Sequence, residues 1–125
     1  MKHIYKTRTF SRWMRKTPLE DHALFLAIQE MEQGLVDADL GGGVYKKRVP
    51  LPNRGKSGST RTIIATNRSG RWFYLFGFEK GERDNITKTE LAYLKNLADV
   101  LLTYSEEDLR VALATEQIIE VQPHV

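Results

Sequence analysis

The sequence predicts an α+β domain: a small antiparallel sheet, built as a three-stranded meander, with helices before it and a helical segment after it. Apolar residues recur at helical spacing in residues 10–35 and again in residues 87–115. Between them, residues 44–78 are β-branched, aromatic and punctuated by turn residues. At 125 residues the chain has the size of one compact domain, residues 1–125, and with no cysteine it folds on its apolar core alone. Disulfide staples, thiolate metal sites and a cysteine nucleophile are excluded by that composition.

Residues 1–5 are compatible with a short fourth strand beside the meander. Phe10, Trp13 and Met14, spaced i, i+3, i+4, predict a first helix that stops at Thr17-Pro18, because the residue before a proline avoids the α region. Proline suits a helix's first turn, so a second helix is expected to begin about there, with Glu20 and Asp21 near its positive end. Leu24, Phe25, Ile28, Met31 and Leu35 give it one apolar face, Gly34 ends it, and residues 37–43 have the Asp and Gly chemistry of a loop.

From Val44 the period becomes two. Residues 44–49 read as a strand closed by Pro50 and Pro52, and residues 53–59 as a Gly/Ser loop. Residues 60–66 read as a β-branched strand, residues 67–70 as a hairpin turn and residues 71–78 as an aromatic central strand. Thr87 and Glu90 form a capping box for a long helix striped by Leu91, Leu94, Leu97, Ala98, Leu101 and Leu102. Ser105 and Asp108 cap a shorter helix ending near Thr115, and residues 118–121 are open between an added strand and an unsupported arm. The helices are expected on one face of the sheet, leaving the other to solvent or a partner. The longest apolar runs are too short to span a membrane and the first residues lack a signal peptide's hydrophobic stretch, so a soluble, cytoplasmic protein is expected.

The net charge of +3 hides a segregation along the chain. Residues 1–16 hold six Lys/Arg and no acid, and residues 17–39 hold six acids and no Lys/Arg. Residues 40–83 hold ten Lys/Arg against two acids, and residues 84–125 eight acids against three Lys/Arg. A surface that merely solubilises mixes its signs, so the central block points to a polyanionic partner. Strand alternation puts Lys46 and Arg48 on one face with Val44, and Lys47 on the other with Tyr45 and Val49. Lys46, Arg48, Arg54, Lys56 and Arg61 come from adjacent strands and the loop joining them, and Lys80 and Arg83 follow the third strand. A meander can gather these into one basic surface. The interleaved aromatics Tyr45, Trp72, Phe73, Tyr74, Phe76 and Phe78 could stack bases, although aromatics at this density more often fill a core.

Other chemistry is sparse. His3, His22 and His124 are not spaced as metal ligands, and Glu20-Asp21 and Glu106-Glu107-Asp108 are helix-start charges rather than acid/base pairs. The loop from Arg54 to Thr60 lacks the full phosphate-loop spacing and joins two strands, so it reads as a phosphate contact without nucleotide hydrolysis.

A Lys-x-Arg strand (Lys46, Arg48), a Gly-Lys-Ser-Gly-Ser-x-Arg loop ending at Arg61, a hydrophobic strand and then Lys80-Gly-Glu-Arg83 together resemble the RelE/ParE superfamily, nearest to HigB-like toxins of type II toxin–antitoxin systems. The resemblance covers residues 1–102; residues 105–125 stand outside it as a C-terminal extension. It implies a RelE-like fold and a ribosome-dependent mRNA endonuclease. Such a toxin acts without metal or other cofactor, inhibits translation, and is neutralised by a cognate antitoxin, by resemblance a helix-turn-helix protein. RNA cleavage by its own 2′-hydroxyl needs a base, positive charge for the crowded phosphorane and an acid for the departing 5′-oxygen. Cations can lower a lysine's pKa towards a base's range, while arginine stays charged.

By match to the motif, Lys46 and Arg48 are candidates for positioning and proton abstraction, and Arg61 for transition-state charge. Lys80 and Arg83 would contact the phosphate or leaving group, and Arg54, Lys56 and Lys47 would hold RNA or ribosome. Relatives with a strong RelE-type site carry a tyrosine shortly after the last basic motif, which residues 84–87 lack, so the acid is unassigned. The ParE branch poisons DNA gyrase, and a non-catalytic RNA-binding module is a further alternative; the dense basic loop favours RNA cleavage.

Overall fold

A computed structural model of the chain describes residues 2–52 and 59–122. In chain order the elements are β1 (His3–Thr7), α1 (Arg8–Met14), α2 (Asp21–Glu32), β2 (Ala38–Gly41), β3 (Val44–Val49), β4 (Thr60–Thr66), β5 (Arg71–Glu79), α3 (Lys88–Leu102), α4 (Glu106–Ala114) and β6 (Ile118–Glu120). They form one six-stranded sheet in the order β2-β3-β4-β5-β1-β6. The antiparallel meander is β3–β4–β5, and the N-terminal strand lies parallel to β5, with His3 opposite Arg71. Both expected capping boxes form, Thr87 with Glu90 and Ser105 with Asp108. Among the described residues no helix is long and apolar enough to cross a membrane.

The expectation of helices on one face is corrected. Trp72 and Tyr74 point to a core with Phe10 and Met14 of α1 and Leu24, Ile28 and Met31 of α2. Phe73 and Leu75 point to a second core with Leu94, Ala98 and Leu101 of α3 and Leu109 and Ala112 of α4. Trp72, Phe73, Tyr74 and Leu75 are all buried, so this strand lacks the apolar/polar alternation of a sheet wetted on one side. Tyr74 shows the fit: its ring lies 5.1 Å from that of Phe10 and its hydroxyl donates to the Leu24 carbonyl at 2.7 Å.

Residues 37–43 are not a plain loop but contain β2, which pairs antiparallel with β3. Gly42 and Gly43 turn the hairpin at φ of 65° and 80°, the left-handed pair that a two-residue turn requires, so the glycines that look like breakers are the hairpin's own turn. The second helix begins at Asp21, three residues later than Pro18, and Leu35 lies beyond its end, exposed. The chain's end is anchored: β6 pairs with β1, and Ile118 and Val121 are buried.

On β3, Val49 and Tyr45 join the α2-side core and Val44 the α3-side core. Lys47 shares the α2 side, 6% exposed, and its Nζ lies 2.7 Å from a Glu30 carboxylate oxygen and donates to the Leu35 carbonyl at 2.9 Å. Removing one partner of a buried pair leaves the other groups unsatisfied, and Glu30 is half-exposed, which softens the loss. Lys47→Ala is therefore expected to lower stability by about 2 kcal/mol, and Lys47→Met, which keeps the stem's packing, by less. Urea unfolding of the two variants checks the order.

Candidate functional site

The side of β3 opposite Lys47 carries Lys46 and Arg48. Register places Arg48 directly across from Arg61 of β4, and Arg61 across from Phe78 of β5; the next row is Lys46, Ile63 and Phe76. Ile63 and Phe76 belong to the α3-side core, so both rows lie on that face of the sheet. Arg48 is exposed, with its Nε 3.8 Å from Asp37, whose other carboxylate oxygen accepts the Arg48 backbone N–H at 2.6 Å. Arg61 donates to the Ser59 carbonyl at 3.4 Å. Lys46 forms no ion pair with a described residue.

A β-bulge decides which part of β5 reaches this face. Ile63 pairs with Phe76 while Ile64 pairs with Tyr74, so Leu75 is the extra residue. Leu75 and Phe76 therefore lie on the same side, and the alternation restarts with Phe78 on the basic face and Gly77 turned to α1. A Cβ at Gly77 would meet Trp13 ring atoms at 2.3 to 2.8 Å, so only glycine lets α1 close on the strand here.

Arg83 crosses back over these aromatics, its guanidinium 5.2 Å from the Phe76 ring centre and 5.5 Å from that of Phe78. Both of its terminal nitrogens donate to Glu90, at 2.8 and 2.7 Å, in a forked pair. Glu90 also accepts the Thr87 backbone N–H at 2.8 Å, so the first turn of α3 and the loop after β5 are tied through one carboxylate. Those bonds, Arg83 foremost, hold the Glu90 carboxyl down from 4.5 to about 2. At neutral pH it is an acceptor and not a proton donor.

The remaining site candidates are scattered. Lys80 lies in the turn after β5, exposed and without an ion pair to a described residue. Arg54 and Lys56 lie outside the described residues, as does His124. Lys47 is set apart on the other face, spent on α2. Arg68 and Arg71 of the basic block are also absorbed by the fold: Arg68 bonds the Met31 carbonyl, and Arg71 pairs with Glu106 and bonds the Tyr104 carbonyl. Among the described residues no three His, Asp or Glu side chains cluster as metal ligands. An apolar groove of about 520 Å³ runs from Phe76 and Glu90 along α3 past Tyr93, Leu97 and Leu101 to Ile118.

Sequence reasoning missed three parts of this site. Glu90 was visible only as a helix cap, the bulge at Leu75 leaves no trace in residue type, and Trp13 was visible only as a core residue.

The family model described as the RelE toxin of the RelE/RelB toxin–antitoxin system matches residues 2–121 of the chain. The match extends past residue 102, where the motif resemblance stops, through α4 and β6. No curated protein matches the chain.

Because Glu90 has a folded pKa below its unfolded one, the stability it contributes is complete above about 4.5 and is lost as pH falls towards about 2. Glu90→Gln keeps the cap and breaks the charge pair. The stability gap between wild type and this variant should narrow from pH 7 to pH 3 in urea unfolding; a gap constant across that range would contradict the pairing.

Proposed function

The chain belongs to the RelE toxin family, the toxin half of a toxin–antitoxin system with an antitoxin as partner, and from that premise we propose that it cleaves messenger RNA on the ribosome without a metal cofactor. The observation that supports this most is the opposition of Arg48 and Arg61. Like charges directly across a strand pair repel; Asp37 offsets Arg48 at 3.8 Å, while Arg61 has no ion pair with a described residue, so a bound anion would relieve it. With Lys46 in the adjacent row they form a fixed cationic platform on the sheet, open to a phosphodiester.

In the proposed reaction the 2′-oxygen gives its proton to a base, the O2′–P bond forms and the P–O5′ bond breaks. The products are a 2′,3′-cyclic phosphate and a 5′-hydroxyl, the departing O5′ taking its proton from water, since no residue is assigned as the acid. Lys46 and Arg48 position the strand, with Lys46 the candidate base, and Arg61 takes up the charge that grows on the phosphorane oxygens. Lys80, exposed in the turn after β5, is assigned to the following phosphate, and Arg54 and Lys56 to holding RNA or ribosome. Arg83, forked onto Glu90, supports the aromatic floor and leaves its Nε–H for substrate. The toxin would act in the cytoplasm. Its antitoxin, in this reading a helix-turn-helix protein, would cover the platform with acids. A HigB-like branch assignment rests on the motif resemblance alone.

Arg61→Ala should reduce cleavage of ribosome-bound messages by about 100-fold or more, as expected when one donor to a transition-state oxyanion is lost. It should also raise stability by about 0.5 kcal/mol by relieving the Arg48 repulsion. Growth arrest on induction, mapped message ends and a thermal melt read the two effects together. Cleavage that survives the Arg61→Ala, Lys80→Ala double variant would overturn the site, and DNA damage with intact messages would point to gyrase instead.

A further inference from the structure

A second recess of about 360 Å³ adjoins the platform, between α1 and the end of β5. Trp13, Phe76, Gly77 and Phe78 line it together with the exposed Glu82 and the half-buried Arg83. It shares Phe76, Phe78 and Arg83 with the site above, while Trp13, Gly77 and Glu82 have no part in the proposed cleavage. We propose that this recess is a base-binding subsite for single-stranded RNA, and that it selects a base carrying an exocyclic amine over uracil. The proposal rests on the RNA reading of the adjoining platform.

The chemistry of the walls is that of a stacking site. Trp13 is half-buried, pressed onto the backbone at Gly77, so its ring is fixed rather than free to turn. Phe76 is partly exposed and carries the Arg83 guanidinium 5.2 Å from its ring centre, which adds a planar cation beside the aromatic surface. That guanidinium is held by Glu90 at 2.7 and 2.8 Å. Rigid aromatic and guanidinium planes in one recess suit a base lifted out of its strand. One carboxylate oxygen of Glu82 accepts the Glu79 backbone N–H at 2.7 Å, which fixes the group and leaves its second oxygen as an acceptor. An acceptor there favours the amino groups of cytosine, adenine or guanine. Arg12, Arg15 and Lys16, beside Trp13 in the chain, are exposed and make no ion pair with a described residue, so phosphates leaving the recess meet cations.

The protein has two tryptophans, and the other, Trp72, is 2% exposed beneath α1, so a change in fluorescence on ligand binding reports Trp13. The experiment titrates the toxin, freed from its antitoxin, with 2′-O-methyl hexanucleotides that cannot be cleaved, identical except for cytosine or uracil at one position. Saturable quenching is expected, tighter for cytosine. Trp13→Leu, followed through the anisotropy of end-labelled RNA because its reporter is gone, should weaken binding by about 10-fold, the loss of one stacked base. Glu82→Gln, which keeps an oxygen for the Glu79 N–H and turns the second position into a donor, should equalise cytosine and uracil while quenching remains. Absent quenching, Trp13→Leu binding within 2-fold of wild type, or an unchanged cytosine preference in Glu82→Gln would each overturn the subsite. The two readings separate cleanly: quenching without message cleavage would sink the nuclease and keep the subsite, whereas cleavage whose base preference is unaltered in Trp13→Leu would do the reverse.

Discussion

The facing of β3 is the constraint on which the candidate site depends. A strand turns successive side chains to opposite faces, so one buried residue fixes where its neighbours go. Lys47 is that residue. Its ammonium is spent on Glu30 and the Leu35 carbonyl beneath α2, with Tyr45 and Val49 beside it, and Lys46 and Arg48 are thereby turned to the other face. A one-residue slip would bury two cations against α2 and expose Val49. The packing that holds the sheet together and the placement of the charges are thus one decision.

That decision leaves a strained surface. Arg48 and Arg61 face each other across the ladder; Asp37 reaches Arg48 at 3.8 Å while its other oxygen accepts a backbone N–H, and Glu90 is held by Arg83 and a helix cap. The bulge at Leu75 then brings Phe76 and Phe78 to the same side, giving Arg83 a floor and freeing Gly77 for contact with Trp13. Cations beside a rigid aromatic edge would suit the proposed substrate, which is both a polyanion and a run of flat bases.

Much of this was legible in the chain. The meander, both capping boxes and the opposite facing of Lys47 from Lys46 and Arg48 follow from period and turn chemistry. The motif resemblance alone points to the family that the family model identifies. What stayed hidden has physical causes. Gly42 and Gly43 serve a tight hairpin with the same residues that break a strand, so β2 read as loop. Helices on both faces could be foreseen only from β5's unbroken apolar run, which an aromatic strand also shows when one face is wet. The bulge is a property of pairing, not of residue type. Glu90 satisfies a helix start and a distant arginine together, and only the first is local in sequence.

The central claim is that the Lys46, Arg48 and Arg61 face of the sheet is where RNA lies. Its most direct test is the amide spectrum of the isotope-labelled toxin titrated with an uncleavable single-stranded RNA. Shifts are expected at Lys46 to Arg48, at Arg61 to Ile63 and from Phe76 to Arg83, fading as salt is raised, with α2 and β6 unmoved. Shifts confined to α2, α4 or β6, or none on β3 and β4 at an RNA concentration that saturates binding, would contradict that claim.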